Sequence, residues 1–428
     1  MRGARLTRQR ASGARWKSIL SLGPQSMVFM SGLLASRSCL SQPTQRIAWA
    51  GGRSIRPQAS WVLLFAALLL CGWTAVSAAQ QTPAQFQDLA ARAAAARDQN
   101  DLPQAIHLYN QAVNLKSDWA EGWFYLGLLQ YRANSYDGAI DAFNRFLELD
   151  PDHAPALALR GLCEFESGAY DNALRDLDQG VKKGAADQPQ NAQIIRYHYA
   201  QLLTRAGRFE DALVQYQFFA AMHIEDPDVL SGLGLAGTRE QTLSSEAPAP
   251  RRALLQETGA AGFTFLSGDT EGADTQFGQL FARYPKMPEL HFFYGTLLFR
   301  QGSELAIDQF RAYLAAMPHD GFAHGMLAFS LMLAGRFTEA RPEAEQAQSQ
   351  TPAMPMAQIA LARSLIETGS KPGTETEDDK RADALIHQVL SQDPDNLEAH
   401  MALAALYSRM GDREDEDRER SVCHNLAR

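Results

Sequence analysis

The sequence predicts an all-α chain built as a helix-turn-helix solenoid, and three observations carry that expectation. Ala105, Ala139 and Ala173 each open an alanine-led turn ("AIHLY", "AIDAF", "ALRDL") and follow one another at intervals of 34 residues. Gly127 and Gly161 repeat the same interval of 34. A fixed period of about 34 residues, with small residues at two set positions, belongs to stacked helix pairs. Helices that pack closely need a small residue where their backbones cross, and bulky residues fill the next gap. The third observation is composition: 46% of the 428 residues are apolar, enough to bury a core along the whole array.

The chain opens on a leader of opposite charge to the rest. Residues 1–80 hold nine Arg, one Lys and no acid, whereas residues 81–428 hold 30 basic against 49 acidic residues, a formal −19. So acidic a body would approach phosphate against its own field, which argues against nucleic acid as a partner. Residues 1–60 are expected to be a basic, disordered leader. The apolar run "WVLLFAALLLCGW" (Trp61–Trp73) and the small residues after it then follow the order of a secretory signal peptide. Val76-Ser77-Ala78 and Ser77-Ala78-Ala79 both offer the small side chains that signal peptidase requires. On this reading the protein is exported, to the periplasm or beyond the cell. Residues 61–79 are also about long enough to span a bilayer, so an uncleaved membrane anchor is the alternative. An Arg- and Ser-rich leader without acid leaves a transit peptide as a third reading. Its 60-residue length exceeds an ordinary basic region, and a start codon assigned too early would account for that. Cys39 and Cys71 fall in the leader. Cys163 and Cys423 lie far apart in the body, without the spacing of a metal site or a disulfide framework.

The repeat units follow from about residue 84. The second-type alanines at 105, 139 and 173 continue at Ala212, Ala273, Ala306, Ala340 and Ala382. In residues 120–153 the pattern is fullest: Trp123, Leu126 and Gly127, then Tyr136, Ala139 and Phe143, then Pro151. This set resembles the tetratricopeptide repeat family, whose first helix carries Trp-x-x-Leu-Gly and whose second carries an alanine, an aromatic and a terminal proline. The resemblance recurs with Gly161, Tyr170, Ala173 and Leu177, with Ala200, Phe209 and Tyr216, and with Ala261, Phe277 and Pro285. Gly295, Phe310 and Pro318 follow, then Ala328, Phe337 and Pro352, then Ala362, Ile386, Val389 and Pro394. A last first-type helix is expected over Leu397–Met410, capped by the charged "GDREDEDRERSVCHNLAR". It covers roughly residues 84–425 and implies eight to nine repeats in a right-handed superhelix.

Three intervals depart from the period. Ala173 to Ala212 spans 39 residues, with the excess in Lys182–Asn191, and Ala340 to Ala382 spans 42, with the excess in Gly369–Lys380. Ala212 to Ala273 spans 61, seven short of two periods. Within that deficit Asp226–Glu240 reads as a first-type helix and Arg251–Asp269 as the next one. The second-type helix between them is missing, and "QTLSSEAPAP" stands in its place. Pro248 and Pro250 cannot lie inside a helix, so Gln241–Pro250 is expected to run extended. It would link an N-terminal array (84–240) to a C-terminal one (251–425).

No nucleophile elbow, phosphate loop or dinucleotide fingerprint occurs, and no cofactor or enzymatic activity is expected. "GLGLAG" (Gly232–Gly237) lies inside a helical pattern with no strand before it, so its glycines are read as close packing. None of the histidines forms a metal pair; His291, His324 and His400 occupy the position of Trp123 and are read as packing residues. The acidic runs Glu375–Asp379 and Glu414–Asp417 read as solvated surface.

What remains is a binding surface for protein or extended peptide partners. The family resemblance implies a concave groove lined by set positions of the first-type helices. Those positions hold Phe124, Leu128, Tyr131 and Arg132, then Phe165, then Tyr197 and Arg205. Phe292, Phe299 and Arg300 follow, then Phe322 and Phe329, then Arg363. Rings offer area at low entropy cost and Arg fixes carboxylates or carbonyls. The competing reading is that part of this set only packs against the neighbouring repeat. Ala90, Ala94, Phe124 and Leu128 stand where chaperone-tail binders of the family carry a Lys and Asn clamp, so that role is not implied.

Overall fold

The computed structural model describes residues 83–187, 189–369 and 375–428. The basic leader, the 61–79 run and residues 370–374 of the Gly369–Lys380 insertion lie outside the described residues. Among the described residues there are nineteen α-helices and no strand. None of these helices is long and apolar enough to cross a membrane. The chain divides into two compact units between Leu202 and Leu203.

The first unit holds α1 (83–98), α2 (Leu102–Leu115), α3 (Ala120–Arg132), α4 (Tyr136–Leu149), α5 (Ala154–Ser167) and α6 (Tyr170–Lys182). Helix α7 (Pro189–Arg205) runs through the division. The packing rule expected from the repeat is visible in the two inner pairs. A β-carbon on Gly127 of α3 would lie 2.8 Å from the Phe143 ring of α4, and one on Gly161 of α5 would lie 3.0 Å from Leu177 of α6. Small faces bulky at each crossing, so the helix axes approach closely. Leu108, Tyr109, Val113, Leu126 and Leu129 form a core over which Trp119 and Trp123 close, with the Tyr109 and Trp119 rings stacked 5.7 Å apart.

The second unit continues with α8 (Phe209–Ala221), α9 (Pro227–Gly237), α10 (Ala249–Leu266), α11 (Thr270–Arg283), α12 (Glu289–Arg300), α13 (Leu305–Ala316) and α14 (Gly321–Leu333). Helices α15 (Phe337–Gln350), α16 (Pro355–Thr368), α17 (Glu377–Gln392), α18 (Leu397–Met410) and α19 (Arg413–Leu426) complete it. The α12/α13 pair repeats the rule, with Gly295 facing Phe310. Across both units all eight second-type alanines, from Ala105 to Ala382, are 0% exposed. The 34-residue spacing therefore reports the inward seam of every second helix.

The segment Gln241–Pro250 differs from the extended linker that its prolines suggest. Helix α10 begins at Ala249, two residues earlier than expected. Pro248 stands at its N-cap and Pro250 in its first turn, where no intrahelical N–H donor is needed and a fixed φ suits the helix. Residues 241–248 fold into a turn in which the Glu246 N–H donates to the Leu243 carbonyl at 3.0 Å. The Glu246 carboxylate accepts from the Thr242 hydroxyl at 2.9 Å and the Leu243 N–H at 3.2 Å, and pairs with Arg205 at 3.4 Å. Leu243 is buried, and Ala247 joins Leu235 and Leu255 in a small core. The segment is a packed seam.

With no second-type helix between them, α9 and α10 pack directly on one another. A β-carbon on Gly259 would fall 1.9 Å from the Leu230 carbonyl oxygen, and Phe293 of α12 fills the notches left by Gly237 and Gly262. Within "GLGLAG", Gly234 permits close backbone approach to Leu255 and Gly237 admits the Phe293 ring.

Candidate functional site

The first-type helices α3, α5, α7, α12, α14 and α16 carry the groove positions, and the structure sorts them by exposure. Tyr131, Phe165, Tyr197, Phe292 and Phe329 are buried, none more than 9% exposed, and so offer a partner almost no surface. Their rings serve the stack itself. Phe165 meets Tyr170 at 5.5 Å and His198 at 4.7 Å, both edge-on, while Phe292 packs on Tyr313 at 5.1 Å. Burial also lifts the Tyr131 hydroxyl well above the usual tyrosine range. The solvent-facing role expected of these five is thus corrected: they are packed inside the stack, Phe165 and Phe292 against the second helix of their own pair and Phe165 and Phe329 against an adjacent pair as well.

The remaining eight keep accessible surface. In the first unit Phe124, Leu128 and Arg132 are half-buried, the Phe124 ring lying against Phe146 at 5.3 Å and His153 at 5.4 Å. In the second unit Phe299, Phe322 and Arg363 are half-buried, and Arg205 and Arg300 are exposed. The Phe299 ring sits edge-on to Phe329 at 6.0 Å, so a buried ring backs an accessible one. Each arginine is held by a partner. Arg132 donates to Asn100 at 2.6 Å, Arg300 to Gln217 at 2.9 Å, and Arg363 pairs with Glu367 at 2.9 Å. Guanidinium groups fixed in this way lose less rotamer freedom when a ligand arrives.

A cavity of about 880 Å³ opens between α16, α18 and α19. Arg363, Glu367, Met401, Ser408, Arg420 and Cys423 are among its lining residues. Of these the sequence pattern singles out only Arg363. Met401 is 52% exposed, and a large apolar residue near the start of a first-type helix is the signal that marks its position.

Two of the three histidines at the Trp123 position share one local device with Trp123. Trp123 Nε1 donates to the Ser117 carbonyl at 2.9 Å, His324 Nε2 to the Pro318 carbonyl at 3.1 Å, and His400 Nε2 to the Pro394 carbonyl at 2.9 Å. Each ties its helix to the turn before it. The other ring nitrogens face Glu343 at 2.5 Å and Glu419 at 2.6 Å on the following helix. His291 stacks on Phe281 at 4.0 Å. Among the described residues no three His, Cys, Asp or Glu side chains gather as a metal site.

No curated protein matches the sequence. A tetratricopeptide repeat family model matches residues 90–154, 131–192 and 267–321, and a second one matches 321–346. Residues 90–192 and 267–346 are tetratricopeptide repeats. Solved structures similar to this tetratricopeptide repeat protein include MamA from Desulfovibrio magneticus RS-1, 16% identical, TM-score 0.34, covering 41% of this chain and 94% of that one. Yeast Tom70 is 13% identical, TM-score 0.31, covering 80% and 92%. The C-terminal part of a tetratricopeptide repeat-containing protein from Cytophaga hutchinsonii is 18% identical, TM-score 0.29, covering 65% and 99%. Tetratricopeptide repeat proteins are scaffolds for protein interaction, and this chain has that architecture.

Proposed function

We propose that the protein is a non-catalytic scaffold that binds partner proteins or extended peptides along its first-type helices, outside the cytoplasmic membrane. One observation carries the binding surface. Phe299 and Arg300 on α12 and Phe322 on α14 keep accessible faces on successive first-type helices, with the rings backed by buried aromatics. Supported rings give a peptide apolar area at little entropic cost, and a tethered guanidinium gives it direction. The location rests on the basic, apolar and small-residue order of the leader.

Capture of partners by wild type and by a Phe299→Ala/Arg300→Ala/Phe322→Ala variant tests the surface. The variant should lose partners that wild type retains, and an unchanged set sinks the assignment. Tyr131 is left intact in any such variant, because truncating a buried ring would unfold what it tests. Mass spectrometry of the mature N-terminus separates cleavage near Ala79 from a membrane-tethered form that keeps residues 61–79.

A further inference from the structure

Among the described residues, nine first-type helices end on a residue in the left-handed region: Asn100, Asn134, Gly168, Gly207, Arg239, Gly268, Gly302, Gly335 and Gly411. Eight are Gly or Asn, the residues that tolerate it. Arg239, at φ 57°, is the exception. A β-carbon and a long side chain in this conformation cost stability, so the arginine side chain is held there by what it touches.

It touches a built cage within the second unit. The guanidinium lies over the Phe292 and Phe322 rings, 4.9 Å from each centroid, with Phe209 at 5.8 Å. Its Nη1 donates to Asp320 Oδ2 at 2.9 Å. The cage has its own support. Asp320 caps α14, its Oδ1 accepting from the Phe322 and Ala323 N–H groups at 3.0 and 3.1 Å. The Tyr313 hydroxyl donates to Oδ2 at 2.7 Å. Burial opposes ionisation of Asp320, yet the Tyr313 hydroxyl, the two backbone donors and Arg239 together hold its carboxyl below the usual range. Rings and a carboxylate so arranged suit a planar cation that stacks and donates at once, which is a guanidinium rather than an ammonium. The site is reachable: the Arg239 side chain is 27% exposed and that of Asp320 19%.

We propose that Phe292, Phe322, Tyr313 and Asp320 form an arginine-recognition subsite of the groove, which Arg239 fills in the free protein and a partner's arginine takes over. The inference rests on the groove reading above and adds the chemistry of its partner. Phe322 keeps an accessible face on α14, and the Phe292 ring face under the Arg239 guanidinium is uncovered when that side chain leaves, so a peptide laid along α12 and α14 reaches the cage. Arg239 competes at the high effective concentration of a tethered group, so one arginine displaces it only with help from neighbouring contacts. Release of Arg239 also relieves its backbone strain.

The test uses the full chain and Nα-acetyl-arginine amide as probe, followed by NMR. Arg239→Gln should bind the probe at least about tenfold more tightly than wild type, because the internal competitor is gone. Adding Asp320→Asn should weaken that binding at least about tenfold, the scale of one charge-assisted hydrogen bond, while Asn still caps α14. The lysine and citrulline counterparts should bind less well than arginine. A folded Arg239→Gln that binds no better than wild type overturns the proposal. Should Arg239→Gln not fold, Arg239→Gly, the residue type of the sister helices, replaces it. Tighter probe binding than wild type supports the subsite, and equal binding overturns it. Failure here is distinct from failure of the groove: partner capture lost in Phe299→Ala/Arg300→Ala but kept in Arg239→Gln/Asp320→Asn removes only the subsite.

Discussion

Gly234 and Leu255 touch through their backbones: a β-carbon on Gly234 would fall 2.1 Å from the Leu255 carbonyl oxygen. No side-chain rotation relieves a clash with main chain, so α9 and α10 would have to separate. Gly234→Ala and Gly259→Ala should each cost at least about 2 kcal/mol in urea denaturation of the full chain. Gly278 of α11 is the control, since nothing lies within 4 Å of a β-carbon there. Gly278→Ala should stabilise by about 0.5–1 kcal/mol through helix propensity alone.

The seam makes a second contrast. Glu246 gathers a hydroxyl, a backbone N–H and a guanidinium, whereas Pro250 occupies a first helical turn that many residues tolerate. Glu246→Ala should cost about 1–2 kcal/mol by leaving these donors without their acceptor. Pro250→Ala should change stability by no more than about 1 kcal/mol, because its effect is confined to the unfolded chain. Thermal denaturation of the two variants side by side reads the difference.

Much of this architecture is legible in the sequence, for a physical reason. The crossing point of each helix pair admits only small residues, so eight alanines and three glycines announce the period and the inward face. The start of α10 is misread because proline is excluded from a helix interior but welcome in its first turn. The groove residues are half legible. Position in the repeat marks Phe292 and Phe329 as candidates, but their burial depends on which side chains pack on them, Tyr313 and Arg239 on Phe292 and Phe299 beside Phe329, which the repeat does not specify. Arg239 is legible only as a departure: an arginine where sister helices place Gly or Asn, a signal that has meaning once the backbone is known.

Glu164 supplies a pH dependence. It lies on α5 beside Asp176, which is paired with Arg160, and its Oε2 is buried without a hydrogen-bond partner. Burial, reinforced by the Asp176 charge, pushes its carboxyl up to about 7 against an ordinary 4.5. Between these values the folded state binds the proton and the unfolded state does not. The contribution is therefore fully present below pH 4.5 and is lost as pH rises through 7. Wild type should lose up to about 3 kcal/mol across that window relative to Glu164→Gln, whose neutral amide does not titrate. Urea midpoints of both proteins at pH 4.5 and pH 8 measure it, and parallel pH profiles would contradict the assignment.

On the proposed function, partners bind the first-type helices. Photo-crosslinking amino acids placed at Arg300 on α12 and Met401 on α18 should capture a partner. The same groups at Ala315 on α13 and Gln388 on α17, both exposed on second-type helices, should not. Adducts from Arg300 and Met401 alone are the predicted result; adducts from Ala315 and Gln388 alone would contradict the account.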